Sequence, residues 1–210
     1  AFTHHHPAHI GPMGVIGSSS ANALAGEADV ILAIGTRLQD FTTGSWSAFA
    51  DDAQIISINA ARFDAVKHRA IAVVGDAREA VRELETALGD WSVDPAWMEK
   101  GRAEFAVWNE TLDELQKPTN AELPSYAQVV GLINRKAADR DLILTAAGGL
   151  PGEVTKGWKI KEPGTFDREF GLSCRGSEVA GGWGAAMADP DRDVIVMSGD
   201  GSYLMMNSDI

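Results

Sequence analysis

The stretch RDVIVMSGDGSYLMMNSDI, residues 192–210, decides the fold of this chain. Its apolar run over 194–197 is continuous rather than alternating, which is typical of a parallel strand covered on both faces. A Gly-Asp-Gly turn follows, and a helical pattern comes after the turn. Ligands of open α/β sheets bind at the carboxyl ends of the strands, so this turn is a candidate binding site.

The turn carries groups that suit a phosphorylated ligand. Gly199 and Gly201 permit unusual backbone dihedrals and let a ligand approach the backbone closely. The amides of Gly201 and Ser202 begin the next helix and can point at a phosphate. Asp200 is placed to bind a hard cation such as Mg²⁺. The alternative is an ordinary βα turn in which a solvated Asp200 caps the helix, and the short motif alone does not decide between the two.

A second glycine-rich turn follows another predicted strand. Residues 141–147 are mostly apolar, and Gly148 and Gly149 come directly after them. Two separate strands therefore bring glycines to what we expect to be the same edge of one sheet. Backbone amides of both turns can then converge on one diphosphate. Two unrelated βα turns, which often contain glycine, are the alternative.

The upstream half predicts a sheet of the same kind. Three apolar strands are expected at about 30–35, 54–60 and 70–75, and helical spacing of apolar residues predicts a helix over 77–88 that Gly89 ends. Strands alternating with helices indicate the α/β class with two Rossmann-like parallel sheets.

A long helical pattern over 96–116 separates the two halves, and a proline-bounded loop follows it. We therefore predict one domain at 1–90, a helical connector at 91–124 and a second domain at 125–210.

Composition excludes several classes of partner. The net charge of −12 argues against nucleic acid and anionic membrane surfaces. The sequence contains no run of 18 apolar residues that could span a membrane.

The single cysteine, Cys174, cannot form an internal disulfide, which fits a cytoplasmic protein. It has no histidine nearby in the sequence, which argues against a catalytic thiol. The histidines at 4–6 and 9 lack Cys, Asp or Glu neighbours, so a surface loop is favoured over a metal site.

Arg37 follows the first predicted strand, where a dinucleotide-binding sheet faces its ligand. Its guanidinium could bind a diphosphate. No G-x-G-x-x-G spacing supports this, however, so pairing of Arg37 with Asp40 or with a neighbouring domain is favoured over FAD binding.

Several motifs together resemble a known family. Gly-Asp-Gly-Ser at 199–202 resembles the start of the motif of thiamine diphosphate (ThDP) enzymes, and GLSCRGSEVAGGWGAAMA at 171–188 resembles the segment that precedes it in acetolactate synthase-like members. With TRLQDFTTGS at 36–45 and LTAAGGLPGE at 144–153, the chain is most similar to the branch that opens a cyclic diketone in inositol catabolism. The resemblance covers nearly the whole chain. It implies a central domain and the start of a diphosphate-binding domain, both incomplete.

The resemblance implies roles for particular residues. Asp200 would bind the Mg²⁺ that bridges the cofactor diphosphate. Leu150 replaces a histidine of many relatives, so backbone contacts alone are implied there. Arg175 would offer its main-chain carbonyl to the aminopyrimidine, and Met205 would hold the cofactor in its bent shape, with core packing as the alternative. The full set of implied cofactor contacts is Gly148, Gly149, Leu150, Arg175, Gly201, Ser202 and Met205.

No catalytic residue is predicted within the chain. The resemblance implies an activating glutamate on a pyrimidine-binding domain before Ala1 and a second Mg²⁺ ligand after Ile210. The intact parent is expected to be a ThDP- and Mg²⁺-dependent hydrolase with a small-molecule substrate, a cytoplasmic homodimer or homotetramer. The 210-residue chain alone is expected not to turn over. An acetolactate synthase-like carboligase and a non-catalytic nucleotide-binding module remain alternatives.

Overall fold

The computed structural model describes residues 3–210 and is of the α/β class. The chain separates into two compact units. We call residues 12–105 the first unit, and residues 3–11 with 106–210 the second unit. The division falls in the sequence after Phe105, within the stretch 91–124 that was predicted to be a connector. The predicted domain limits themselves stay a prediction.

The first unit is built on a three-stranded parallel sheet in the order β1-β2-β3. Its register pairs Ile31 with Ile55 and Ile58 with Val73. In chain order its elements are α1 Ser19–Glu27, β1 Val30–Ile34, α2 Asp40–Thr43, β2 Gln54–Asn59, α3 Arg62–Ala65, a 3₁₀ turn at Lys67–Arg69, β3 Ile71–Val74 and α4 Ala77–Leu88. The helix predicted over 77–88 is confirmed, and Gly89 at its end has a positive φ of 56°.

A long helix, α5 Pro95–Leu115, runs across the sequence division between the units. Pro95 is its first residue, a position where the missing amide proton costs no helical hydrogen bond. The sequence pattern predicted that this helix begins at residue 96, and in the structure it begins one residue earlier.

The second unit carries another three-stranded parallel sheet, in the order β5-β4-β6. Its elements are α6 Tyr126–Lys136, β4 Leu142–Thr145, α7 Gly149–Gly157, β5 Phe166–Arg168, α8 Ser177–Ala188, β6 Val194–Val196, α9 Asp200–Met206 and a 3₁₀ turn at Asn207–Asp209. Ser125 and Gln128 form a reciprocal capping box at the start of α6. The core joins α6, α7 and the sheet through Val130, Ile143, Val154 and Met197.

The strand burial predicted from the apolar runs is wrong for β1 and β6. Val30 and Ile34 of β1 are exposed, and Val196 of β6 is 37% exposed. Val30 borders a cavity of about 900 Å³ that residues of α4 also line, so its side chain is not covered there. Among the described residues β6 pairs with β4 alone, so it is an edge strand. Within residues 3–210, no helix is both long and apolar enough to cross a membrane.

Candidate functional site

The two glycine-rich turns leave the second unit's sheet at the same edge. Strands β4 and β6 are parallel neighbours, with Ile143 opposite Ile195. Beyond the strand ends, the Met197 amide donates to the Leu144 carbonyl at 2.9 Å, and the Thr145 hydroxyl donates to the Met197 carbonyl at 2.8 Å. The expectation that both turns share one sheet edge is therefore confirmed. Their convergence on a diphosphate stays a prediction.

Asp200 is the first residue of α9, and its side chain is exposed. Its Oδ1 accepts a hydrogen bond of 2.8 Å from the Gly201 amide, and among the described residues Oδ2 has no hydrogen-bond partner. The carboxylate borders a cavity of about 740 Å³ that Trp183 and Tyr203 also line. Residues 148–150 are not among the described residues that line it. The glycine turn after β4 and Asp200 thus share a sheet edge but not this cavity.

Neither glycine of the Gly-Asp-Gly turn uses the unusual backbone dihedrals that glycine permits. Gly199 has ordinary extended dihedrals, with φ −81° and ψ 159°, and Gly201 lies in the first turn of α9. A Cβ built on either glycine would meet no heavy atom within 4 Å. Neither position requires a conformation that other residues avoid. Without side chains, these two glycines leave open space beside the backbone.

Gly148 does require glycine, because its φ of 145° lies in a region that side chains rarely adopt. It precedes α7, and Gly149 is the first residue of that helix. A Cβ on Gly149 would lie 3.0 Å from the Tyr126 ring. Leu150 packs against the core of the second unit. Its side chain therefore points into protein, which leaves the backbone as the part of Leu150 that a ligand can reach.

Glu169 organises the loop at 171–176 that the family resemblance singled out. Its carboxylate accepts hydrogen bonds from the amides of Leu172, at 2.9 Å, and Cys174. These bonds, the one from Leu172 foremost, lower the pKa of Glu169. Cys174 and Arg175 are both exposed in this loop. Glu169 was not recognised from the sequence, since nothing in its spacing reveals the turn that brings those amides to it.

Glu178 is a second residue that sequence reasoning missed. Its side chain is buried, with the residue only 2% exposed. One oxygen accepts from the Gly176 amide at 2.8 Å, and the other accepts from the Ser198 hydroxyl at 2.6 Å. A local signal was available, because Glu178 is the single charged residue of α8, whose sequence is SEVAGGWGAAMA. Its carboxylate joins the 171–176 loop to the start of the Gly-Asp-Gly turn.

Helix α9 closes over the same region. Ser202 is buried, whereas Met205 is 62% exposed, so Met205 is not part of the core of the described residues. The neighbouring Met206 lies over Gly176, where an added Cβ would come within 2.2 Å of the Met206 Cγ. Position 176 therefore requires glycine for two reasons. Its φ of 91° is one that side chains rarely adopt, and Met206 leaves no room for a Cβ.

Two other sequence-based hypotheses can be compared with the structure. Arg37 is exposed, and the ion pairs of the described residues include none between Arg37 and Asp40, so the predicted pairing is not found. The Arg37 carbonyl instead accepts from the Lys67 ammonium at 2.9 Å. Within residues 3–210, no group of three His, Cys, Asp or Glu side chains is arranged to hold a metal ion.

Comparison with known proteins identifies the family. The model for the thiamine pyrophosphate enzyme central domain matches residues 1–84, and the model for the C-terminal TPP binding domain matches residues 146–210. Thiamine pyrophosphate is another name for ThDP. The two matches together cover more than half of the chain, which therefore belongs to the thiamine pyrophosphate enzymes.

Several individual relatives carry the name of one particular enzyme. The chain is 36% identical to a 3D-(3,5/4)-trihydroxycyclohexane-1,2-dione hydrolase of Geobacillus thermodenitrificans, over 98% of this chain and 35% of the relative. Proteins of the same name from Bacillus anthracis and Clostridium botulinum are 35% and 31% identical, over 98% and 97% of this chain and 36% of each relative. The chain thus spans about a third of the length of these curated relatives.

Proposed function

We propose that the protein carrying this chain is a ThDP- and Mg²⁺-dependent hydrolase that opens the ring of a cyclic 1,2-diketone in myo-inositol catabolism. The names of the relatives support the reaction class. The observation that carries the proposal is the pair of glycine-rich turns on the neighbouring strands β4 and β6, with the exposed carboxylate of Asp200 in the second turn.

The residues at this sheet edge fit such a cofactor. The space beside Gly199 and Gly201 is open, and Asp200 Oδ2 is available to a cation. Asp200 would bind Mg²⁺, since carboxylate oxygen is a ligand that this ion prefers. The Arg175 carbonyl would accept from the aminopyrimidine, and the exposed Met205 side chain would contact the cofactor rings. Backbone groups toward the diphosphate would come from Gly148, Gly149, Leu150, Gly201 and Ser202.

ThDP, when bound, supplies a nucleophilic carbon that adds to a carbonyl and an electron sink for the C–C bond that breaks. The residues of this chain would bind the cofactor and orient it. The Gly201 amide now donates to Asp200, so this amide becomes available to a phosphate oxygen once the carboxylate turns toward a cation. Cation binding and phosphate binding would then reinforce each other through a single carboxylate.

The setting of the protein is part of the proposal. We expect a small-molecule substrate, a cytoplasmic location and a homodimer or homotetramer. The single cysteine supports a reducing compartment. The net charge of −12 argues against nucleic acid as a partner.

The Asp200→Asn variant tests the metal site. Asparagine keeps an oxygen for the Gly201 amide but loses the negative charge, so we expect the apparent affinity for ThDP in the presence of Mg²⁺ to fall on the order of tenfold or more. Titration calorimetry measures it, and Asp189→Asn, at an exposed position just after α8, is the matched control. Undiminished ThDP binding by Asp200→Asn would remove Asp200 as the metal ligand.

Product analysis tests the reaction. The protein is incubated with ThDP, Mg²⁺ and either the cyclic diketone or pyruvate. Ring opening of the diketone supports the hydrolase. Formation of acetolactate from pyruvate, with the diketone untouched, would favour a carboligase instead.

A further inference from the structure

The buried carboxylate of Glu178 is not among the groups proposed to contact ThDP or Mg²⁺. Removing a carboxyl group from water is unfavourable unless hydrogen bonds replace the lost hydration. In this structure the replacement comes from two different segments, the Gly176 amide and the Ser198 hydroxyl. Breaking either bond would leave a buried polar group without a partner, so each bond holds its donor close to the Glu178 carboxyl group.

The two segments also touch directly. Met206 lies over Gly176, and the Ser202 carbonyl lies 3.2 Å from the position of a Cβ on Gly176. The loop 171–176 therefore rests on α9, which begins at Asp200. A shift of the loop would have to move either this helix or the Glu178 side chain, because interiors packed this closely transmit displacement.

We propose that Glu178 is a positioning residue that fixes the 171–176 loop relative to the Gly-Asp-Gly turn, and so sets the distance between the two ends of a bound ThDP. The inference rests on the proposed function, in which the loop meets the aminopyrimidine and the turn meets the diphosphate. Glu178 itself contacts neither end. Its effect falls on ligands that engage both segments at once, and much less on ligands that engage the turn alone.

Two ligands separate this role from a general structural one. ThDP would engage the 171–176 loop as well as the diphosphate-binding turns, whereas inorganic pyrophosphate with Mg²⁺ would engage the turns and not the loop. For Glu178→Ala, which removes both hydrogen bonds, we expect ThDP affinity to fall on the order of tenfold and pyrophosphate affinity to change less than about threefold. Titration calorimetry in saturating Mg²⁺ measures both affinities, with Glu162→Ala, an exposed glutamate of the same unit, as the matched control.

Milder variants keep the test decisive if Glu178→Ala does not fold. Glu178→Gln keeps the side-chain size, an acceptor for the Gly176 amide and a group that can bond Ser198, so we expect it to restore most of the ThDP affinity. Ser198→Ala removes only the bond to the turn, and we expect an intermediate loss that is again larger for ThDP than for pyrophosphate.

The outcomes are distinguishable. Equal losses of ThDP and pyrophosphate in the Glu178 and Ser198 variants overturn the positioning role, because they indicate general damage. Unchanged ThDP affinity with lowered thermal stability also overturns it. If the unmodified protein binds pyrophosphate but not ThDP, the proposed function fails and this role fails with it. If the unmodified protein binds ThDP and only the variants lose it selectively, both stand.

Discussion

The carboxylate of Glu169 illustrates how one side chain can organise a loop that has no regular structure. It accepts hydrogen bonds from the amides of Leu172 and Cys174. Ser173, which lies between them, has a positive φ of 55°. Non-glycine residues in that region carry a backbone strain that the surroundings must offset. The amides on either side of Ser173 both donate to Glu169, which holds the loop in this conformation and lowers the pKa of that carboxyl.

Glu169→Gln should change the pH dependence of stability. Because the folded-state pKa of Glu169 lies below its ordinary value of 4.5, its ionised form stabilises the fold above that value, and this stabilisation is lost as the pH falls through the lowered pKa. We therefore expect the wild type to be more stable than Glu169→Gln at pH 7, and the difference to shrink below pH 4.5. Urea unfolding over pH 3–7 measures it.

Glu162→Gln is the control for that series, since its side chain is exposed. A constant difference between wild type and Glu169→Gln at every pH would contradict the assignment of the effect to the charge of Glu169.

At the scale of the element, α8 shows how glycines set the distance between a helix and a sheet. A Cβ on Gly182 would lie 2.2 Å from the Val196 Cγ2 of β6. Gly184, two residues further along the same helix, would place its Cβ in open space. The pattern GGWG therefore combines a glycine that packing requires with one that it does not.

This pair gives a matched prediction. Gly184→Ala should stabilise the fold by about 0.5–1 kcal/mol, because alanine is the better helix former and meets no obstacle. Gly182→Ala should destabilise it by about 1–2 kcal/mol despite the same gain in propensity, because Val196 is β-branched and cannot easily turn away. Thermal unfolding measures both variants. Stabilisation by Gly182→Ala would show that α8 can move off β6 at little cost.

At the scale of the whole molecule, the start of the described chain belongs with a unit that is distant in sequence. The His4 amide donates to the Ile160 carbonyl at 2.8 Å, within the second unit. The histidine tract was predicted to be a surface loop. His5 and His6 are exposed, whereas His4 and His9 are half-buried. Burial, with a smaller effect from the Lys159 charge, lowers the pKa of His4 to about 4.

Acid should therefore weaken this attachment. The unfolded chain takes up a proton at His4 near pH 6.5, but the folded chain resists protonation down to about pH 4, so the fold loses stability between these values. We expect His4→Gln to flatten the fall in the free energy of unfolding across this range, measured by urea unfolding at a series of pH values.

The groups near His4 are Lys159, His5, His9 and Asn109, and the hydrogen bond with the Asn109 side chain opposes the shift. The exposed His6, which is not among the groups that shift the pKa of His4, provides the control variant, His6→Gln. Parallel stability curves for the wild type and His4→Gln would contradict the prediction.

The sequence alone determined the features that depend on local patterns. Apolar runs located β1, β2, β3, β4 and β6, because a short run of contiguous apolar residues is typical of a strand even where its side chains are left uncovered. The three-residue β5 was missed, since so short a strand has no periodic signal. The glycine turns and the motif around Asp200 were also local, so the expected sheet edge and the family followed from them.

Only the tertiary structure decided what those elements meet. The exposure of Val30 and Val196 depends on whether another layer covers their face of the sheet, and the sequence of their own strands does not determine this. Glu178 bonds Ser198, twenty residues further along the chain, and Leu150 turns into the core although it belongs to a candidate ligand turn. Hydrogen bonds and burial of this kind act through space between distant segments, so they become visible only once the chain has folded.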